Sequence, residues 1–380
     1  MFPFLRTAIQ AAETFAVKNA VEKVINNQSY YDFLDNPSVE AFEKKLSEYL
    51  DTPVIGVDSG TEALILALKL LKIGGGDEVI VPAFSFIGTV SCIPWVGATP
   101  VFVDVGENYA IDPEKIEEKI TNKTKAIVVV HLYGQPANNL EKIIEIAKKR
   151  FLYVIEDAAQ SMGARVYING AWKYVGTLGD IGCLSFSSSK ILAAPGRGGA
   201  IIMRNTALRE ELHRMRFFGA KHHYRDYPTL GVNVKLQEIQ AAALLAKFQF
   251  FEYWLWHRKQ LAAYYTRLLK NIDEISFPEE HFGTERVWYR YVIRTKRREE
   301  LLEALKPFTE RAFHFKPLIN YPVPLPYFSI FKHLNHKSGD FPVADILSAE
   351  VLSLPITNLM STYEVNELSR AIIKFFGKKN

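Results

Sequence analysis

Between Asp51 and Asn205 short β-branched runs alternate with stretches of helical period, and this rhythm constrains the fold more than any other feature of the chain. The runs are Val54 to Val57, Glu78 to Val81, Pro100 to Asp104, Ala126 to His131, Tyr153 to Glu156, Gly182 to Phe186 and Ala200 to Met203. Alternation of this kind predicts βα units on a mostly parallel sheet. Runs such as Ile127-Val128-Val129-Val130 are apolar at every position, which suits strands covered by helices on both faces. Helical period returns at 207–218 and 236–269, the second stretch being long enough to bridge two domains. Beyond Asn271 come Pro-rich loops, an alternating strand at 287–293 and closing helices near 344–354 and 363–376. The expected organisation is a large α/β domain over 1–245, including an apolar N-terminal helical segment, and a small α+β domain over 246–380.

Composition narrows the partners. The 380 residues are 48% hydrophobic and 23% charged, as in an ordinary globular chain, and 46 basic against 42 acidic residues leave a net charge of only +4. The basic residues are scattered, so nucleic acid is a poor partner. Two unpaired-looking cysteines, Cys92 and Cys183, make neither a disulfide framework nor a four-ligand zinc site, and no metal site is expected. With no apolar run approaching roughly 18 residues and no signal-peptide core, a cytoplasmic protein with no membrane partner is expected.

Three segments carry chemistry. In Val57-Asp58-Ser59-Gly60-Thr61-Glu62-Ala63-Leu64 a strand ends in a turn that opens a helix, offering backbone N–H groups and the positive end of a helix dipole to an anion. A plain N-cap by Ser59 or Thr61 explains the same residues. In Val154-Ile155-Glu156-Asp157-Ala158-Ala159-Gln160 a strand ends in adjacent carboxylates, where ligands of open α/β sheets gather. Asp157 can there hold a ring nitrogen in its protonated form, or simply cap the next helix. In Ser185-Phe186-Ser187-Ser188-Ser189-Lys190, followed by a Gly-rich return through Arg197 to Ala200, a lysine stands among small residues where its amine can reach a carbonyl. The interval Ser187-x-x-Lys190 also matches serine β-lactamases, but their companion Ser-Asp-Asn and Lys-Thr-Gly motifs are missing. An anion cup, a carboxylate and a lysine on one sheet together match the groups of pyridoxal phosphate.

These residues, with Gly76 to Phe86, Gly97 to Asp104, His131-Leu132-Tyr133-Gly134-Gln135-Pro136, Gly179 to Gly182, Tyr321 to Leu325, Gly339 to Ala344 and Leu352 to Pro355, make the chain resemble the sugar aminotransferases of the DegT/DnrJ/EryC1/StrS family. The resemblance runs from about Pro37 to the C-terminus. It implies a fold-type I transferase dependent on pyridoxal 5′-phosphate, with a mostly parallel seven-stranded sheet between helices. It also implies a homodimer with a shared active site.

Position by position, the resemblance gives Lys190 as the lysine that bonds the cofactor and Asp157 as the partner of its pyridine nitrogen. Phe86 matches the aromatic stacked on the ring, and Gln160 the residue near its phenolic oxygen. Gly60, Thr61 and Ser185 match the phosphate binders, and Asn233 the residue sent across from the neighbouring subunit. Tyr31, Arg197 and Tyr321 are substrate candidates, Arg197 for the carboxylate of an amino donor or a phosphate on the acceptor. Departures fall around the substrate: Lys235 and Arg197 replace the family's usual Arg and acidic residue, the block Asn320 to Pro326 lacks both histidines, and the loop Tyr30 to Leu34 is atypical. Lys190 argues against the dehydratase branch, which carries histidine there. The implied activity is transfer of an amino group from an amino acid, glutamate first, to a keto carbon of a nucleotide-linked deoxy sugar. Alternatives are a keto-cyclitol or keto-sugar phosphate as acceptor, or a non-catalytic protein that binds the cofactor as a regulator.

Overall fold

In the computed structural model, which describes residues 3–28, 36–221, 225–277, 281–312 and 317–377, all seven runs named above are strands of one sheet. In chain order the elements are α1 (Pro3–Asn26), α2 (Pro37–Leu50), β1 (Val54–Val57), α3 (Gly60–Leu70), β2 (Glu78–Pro82), α4 (Ile87–Trp95), β3 (Thr99–Val103), β4 (Thr124–Val130), α5 (Leu140–Arg150), β5 (Tyr153–Asp157), β6 (Arg165–Ile168), β7 (Ala171–Tyr174), β8 (Ile181–Ser185), β9 (Gly199–Ile202), α6 (Thr206–Met215), α7 (Glu238–Phe248), α8 (Phe251–Leu269), β10 (Thr284–Glu285), β11 (Tyr291–Arg294), α9 (Arg298–Ala312), α10 (Pro342–Glu350), β12 (Val351–Leu354) and α11 (Thr362–Gly377). The seven strands lie in the order β1-β9-β8-β5-β4-β2-β3, with β9 alone antiparallel to its neighbours.

The continuous apolar runs divide between two cores. Val57, Val81, Val128, Val130 and Ile155 enter one cluster, and Val54, Ile80, Ile127, Val129 and Val154 the other. Side chains alternate across a strand, so covering both faces requires an apolar residue at every position. A third cluster gathers Leu261, Tyr265, Tyr291, Leu301, Leu354 and Leu368 around the two-stranded β11-β12 sheet. Helix α8 passes between cores, burying Phe251 and Trp254 in the second and Leu261 and Leu269 in the third. The N-terminal helix α1 lies against α7, with Lys247 Nζ 3.6 Å from Glu13.

Strand β1 is at the sheet's edge, where open N–H and C=O groups invite unwanted pairing. Side chains close that edge: Val54 N donates to Ser47 Oγ (2.9 Å), Gly56 N to Glu43 Oε1 (2.8 Å), and the Arg216 guanidinium to Gly56 O (2.7 Å).

Three sequence expectations change. The stretch 236–269 is two helices, because Phe250 N turns back to Lys247 O in a tight three-residue step. Of the expected 287–293 strand only Tyr291 to Ile293 pairs as a strand, which runs on to Arg294; Val287 N and Arg290 N instead bind Gly134 O and Tyr133 O, with Trp288 at φ 54° between them. Residues 351–354 leave the expected helix to pair with β11. Sequence reading also passed over the β6-β7 hairpin, although Asn169 and Gly170, at φ 51° and 78°, supply the left-handed turn residues such a hairpin needs.

Candidate active site

The anion cup forms where α3 begins. Ser59 caps the helix, accepting from Glu62 N (3.2 Å) and donating to Glu62 Oε2 (2.6 Å), so the cap reading of Ser59 holds and Thr61 is left within the first helical turn. The leading amides of a helix have no intrahelical acceptor. Those of Gly60 and Thr61 stand beside the end of β8: a Cβ on Gly60 would lie 2.8 Å from Ser185 Cβ, and one on Gly199 would lie 2.3 Å from the Ser59 carbonyl carbon. Gly60, Thr61 and Ser185 are thus brought together at two strand ends, and the glycines permit that approach.

On β5 the adjacent carboxylates part company. Asp157 is buried on the site side, where Oδ2 accepts from Thr89 Oγ1 (2.7 Å), itself 3.0 Å from Ser85 Oγ, and Oδ1 accepts from Ala159 N (3.2 Å). Glu156 turns the other way into a fully buried nest, accepting from Gly176 N (2.8 Å), Leu178 N (2.7 Å) and Gly179 N (2.6 Å) and meeting His131 Nε2 at 2.9 Å. Because His131 Nδ1 accepts from Ala137 N, Nε2 carries the proton given to Glu156. Burial opposes ionisation of Glu156, but the bonds from His131 and the glycine amides outweigh it and lower its pKa.

Over this floor stands Phe86, at the N-cap of α4 and 50% exposed, its ring 6.0 Å from that of Tyr321. Gln160 accepts from Tyr133 N (2.9 Å) and donates to Tyr321 Oη (3.2 Å). Lys190, in the turn after β8, carries its Nζ 4.8 Å from the centre of the Tyr289 ring. Tyr289 Oη lies 3.3 Å from Ser189 Oγ. Burial pushes the Tyr289 hydroxyl up, yet Lys190 and Arg290 more than reverse this and hold its pKa below the ordinary value. Burial raises that of Tyr321.

Two further candidates are exposed. Arg197 pairs with Asp58 at 2.7 Å. Asn233 is exposed on a segment held along the end of β1, where Asp58 N donates to Val234 O (2.8 Å). Tyr31 lies outside the described residues.

The donor set suits a planar, phosphorylated pyridine aldehyde: amides and hydroxyls for the phosphate, a half-exposed aromatic face, a buried carboxylate and an amine. The family model of the DegT/DnrJ/EryC1/StrS aminotransferase family matches residues 12–373. The chain belongs to this family. It is 39% identical to the dTDP-3-amino-3,6-dideoxy-alpha-D-galactopyranose transaminase of Aneurinibacillus thermoaerophilus over 99% of each chain. It is 40% identical to a "Pleiotropic regulatory protein" of Geobacillus stearothermophilus over 85% of this chain and 84% of that one. Among solved structures, S. venezuelae DesV superposes with a TM-score of 0.91 at 32% identity, covering 99% of this chain and 98% of that chain. NtdA of Bacillus subtilis, solved with bound cofactor PMP, gives 0.86 at 28% identity over 96% and 82%. Membership of the DegT/DnrJ/EryC1/StrS family makes the chain an aminotransferase of the fold-type I, pyridoxal-phosphate-dependent kind.

For an aminotransferase of this family the sequence reading missed Thr89, Tyr133, Tyr289 and Arg290. Thr89 follows Phe86 by one helical turn, a spacing that places both near the sheet's end. Tyr289 and Arg290 come from about a hundred residues beyond Lys190 and carry no local signal. Among the described residues no helix is long and apolar enough to cross a membrane.

Proposed function

We propose that the protein is a homodimeric, pyridoxal-phosphate-dependent transaminase that moves an amino group from glutamate to a keto carbon of a nucleotide-linked deoxy sugar. One observation carries the chemistry: Asp157 ends β5 and Lys190 follows its parallel neighbour β8, whose last residue Ser185 meets Gly60 at the start of α3. The acceptor rests on relatives with transaminase names over dTDP- and UDP-linked sugars, at 36% to 41% identity.

Gly60, Thr61 and Ser185 would hold the phosphate through backbone amides and hydroxyls. Phe86 would cover one ring face, and Asp157, oriented by Thr89 and the Ala159 amide, would hold a proton on the ring nitrogen. When bound, the cofactor supplies an aldehyde to take the amino group and a ring to draw electrons from the adjoining carbon. Lys190 would hold the cofactor through its amine and move the proton at the substrate carbon. Tyr289 and Ser189 confine its reach. Asn233 would complete the partner's phosphate site.

The test is to load the enzyme with amino groups from glutamate and follow its absorption spectrum as keto acceptors are added. Return with nucleotide-linked keto sugars supports the proposal. Return only with free cyclitols or sugar phosphates replaces the acceptor. Absence of return with every acceptor favours the regulatory reading that the Geobacillus relative's name suggests.

A further inference from the structure

Arg197 was the sequence's candidate for an anionic substrate group, but its guanidinium is spent on Asp58 at the rim. Another arginine stands inside the site. Arg290 lies with its guanidinium carbon 4.9 Å from the centre of the Tyr289 ring, the same ring that Lys190 Nζ approaches to 4.8 Å. It is close enough to Tyr133 and Tyr321 to act on the ionisation of both. Its backbone is fixed: Arg290 N donates to Tyr133 O (3.2 Å), and the buried Arg258 donates to Trp288 O (3.0 Å) and Ile356 O (3.1 Å), clamping the turn that carries it. Among the described residues no carboxylate forms an ion pair with Arg290, whereas Arg165, Arg197, Arg216, Arg294 and Arg298 each have one. A half-buried guanidinium without a counter-ion, held against aromatic rings, is a planar receptor for a carboxylate.

We propose that Arg290 binds the α-carboxylate of the amino-acid donor and so sets donor choice. The inference rests on the transaminase reading and adds the donor's recognition group. Its reasoning is one of distance. The α-carboxylate is bonded to the carbon that reacts, so its receptor must share the surroundings of Lys190, as Arg290 does through Tyr289. A phosphate of a nucleotide-linked acceptor is separated from the reacting carbon by the sugar ring, so its receptor belongs further out.

The test compares the parent holoenzyme with Arg290→Gln and Arg290→Lys in the loading half-reaction, using glutamate and 4-aminobutyrate, which is glutamate without its α-carboxylate. The parent should prefer glutamate, and Arg290→Gln should erase most of that preference, raising the KM for glutamate about tenfold to a hundredfold. The rate with 4-aminobutyrate and the return with a keto acceptor should stay within about threefold, and Arg290→Lys should recover part of the loss. Alongside, calorimetric titration of 2-oxoglutarate should weaken about tenfold in Arg290→Gln. An unchanged preference and an unchanged titration overturn the proposal. Loss confined to the acceptor half-reaction overturns it in favour of an acceptor phosphate, and equal loss with both amines makes Arg290 structural. If the parent accepts amino groups from no amino acid, the transaminase reading fails by itself, and the titration still decides whether Arg290 is a carboxylate receptor.

Discussion

Thr89 Oγ1 donates a 2.7 Å hydrogen bond to Asp157 Oδ2 in a buried pocket, so a side chain from the first turn of α4 orients the carboxylate at the end of β5. A bond to a buried charge is worth about 1.5–3 kcal/mol. Thr89→Val should therefore slow turnover by about tenfold to a hundredfold with the fold intact, and Asp157→Asn by several orders of magnitude, roughly the scale of a lost electrostatic stabiliser. Single-turnover kinetics check both. If Asp157→Asn lowered the melting temperature and left turnover unchanged, Asp157 would serve only the turn after β5, through the Ala159 amide, where no helix follows for it to cap.

Lys190 should carry the cofactor covalently. The purified protein should be yellow, borohydride should fix the chromophore, and peptide mapping should find it on Lys190. Lys190→Ala should bind the cofactor without the covalent bond and fail to complete transamination.

Glu156 should matter for stability and not for the reaction. Glu156→Gln turns an NH2 group toward N–H donors from His131 and Gly176 or from Leu178 and Gly179, at a cost of about 3–5 kcal/mol. Because its pKa is lowered in the folded state, its stabilisation is present above the ordinary glutamate pKa and is lost as pH falls below it. The gap in melting temperature between parent and variant should be widest near neutral pH and should narrow in acid. A gap independent of pH would count against this account.

Gly60→Ala would push a methyl to within 2.8 Å of Ser185 Cβ. Overpacking of this kind costs about 1–3 kcal/mol, and the shift should pull the leading amides of α3 out of position. Cofactor affinity should fall with the melting temperature, measured by fluorescence titration and calorimetry. Unchanged affinity would remove Gly60 from the phosphate site.

The proposed shared active site makes a complementation test possible. Lys190→Ala and Asn233→Ala chains, each inactive alone, should regain part of the activity when subunits exchange, because one site of each mixed dimer has both residues. No recovery under conditions that demonstrably exchange subunits would leave each chain with a complete site of its own.

Local order determined much of this protein. All seven strands of the main sheet are readable in the chain, because a strand covered on both faces must be apolar throughout and its neighbours must be helices. The strand-end motifs around Gly60, Asp157 and Lys190 are readable for a similar reason, since caps and tight turns are written in consecutive residues. Asp157 was singled out for the site by its place at the strand end and by the family resemblance, but the role of Glu156 was not readable. A strand's period of two puts the two carboxylates on opposite faces, and only the packing brings Thr89 to one side and His131 with the 176–179 loop to the other. Nor was it readable that Arg197 would turn to Asp58 while Lys190 and Arg290 share the Tyr289 ring. Those contacts join residues about a hundred positions apart, through a turn whose N–H groups bind the Tyr133–Gly134 backbone in place of a strand ladder, and no local pattern specifies a partner at that separation.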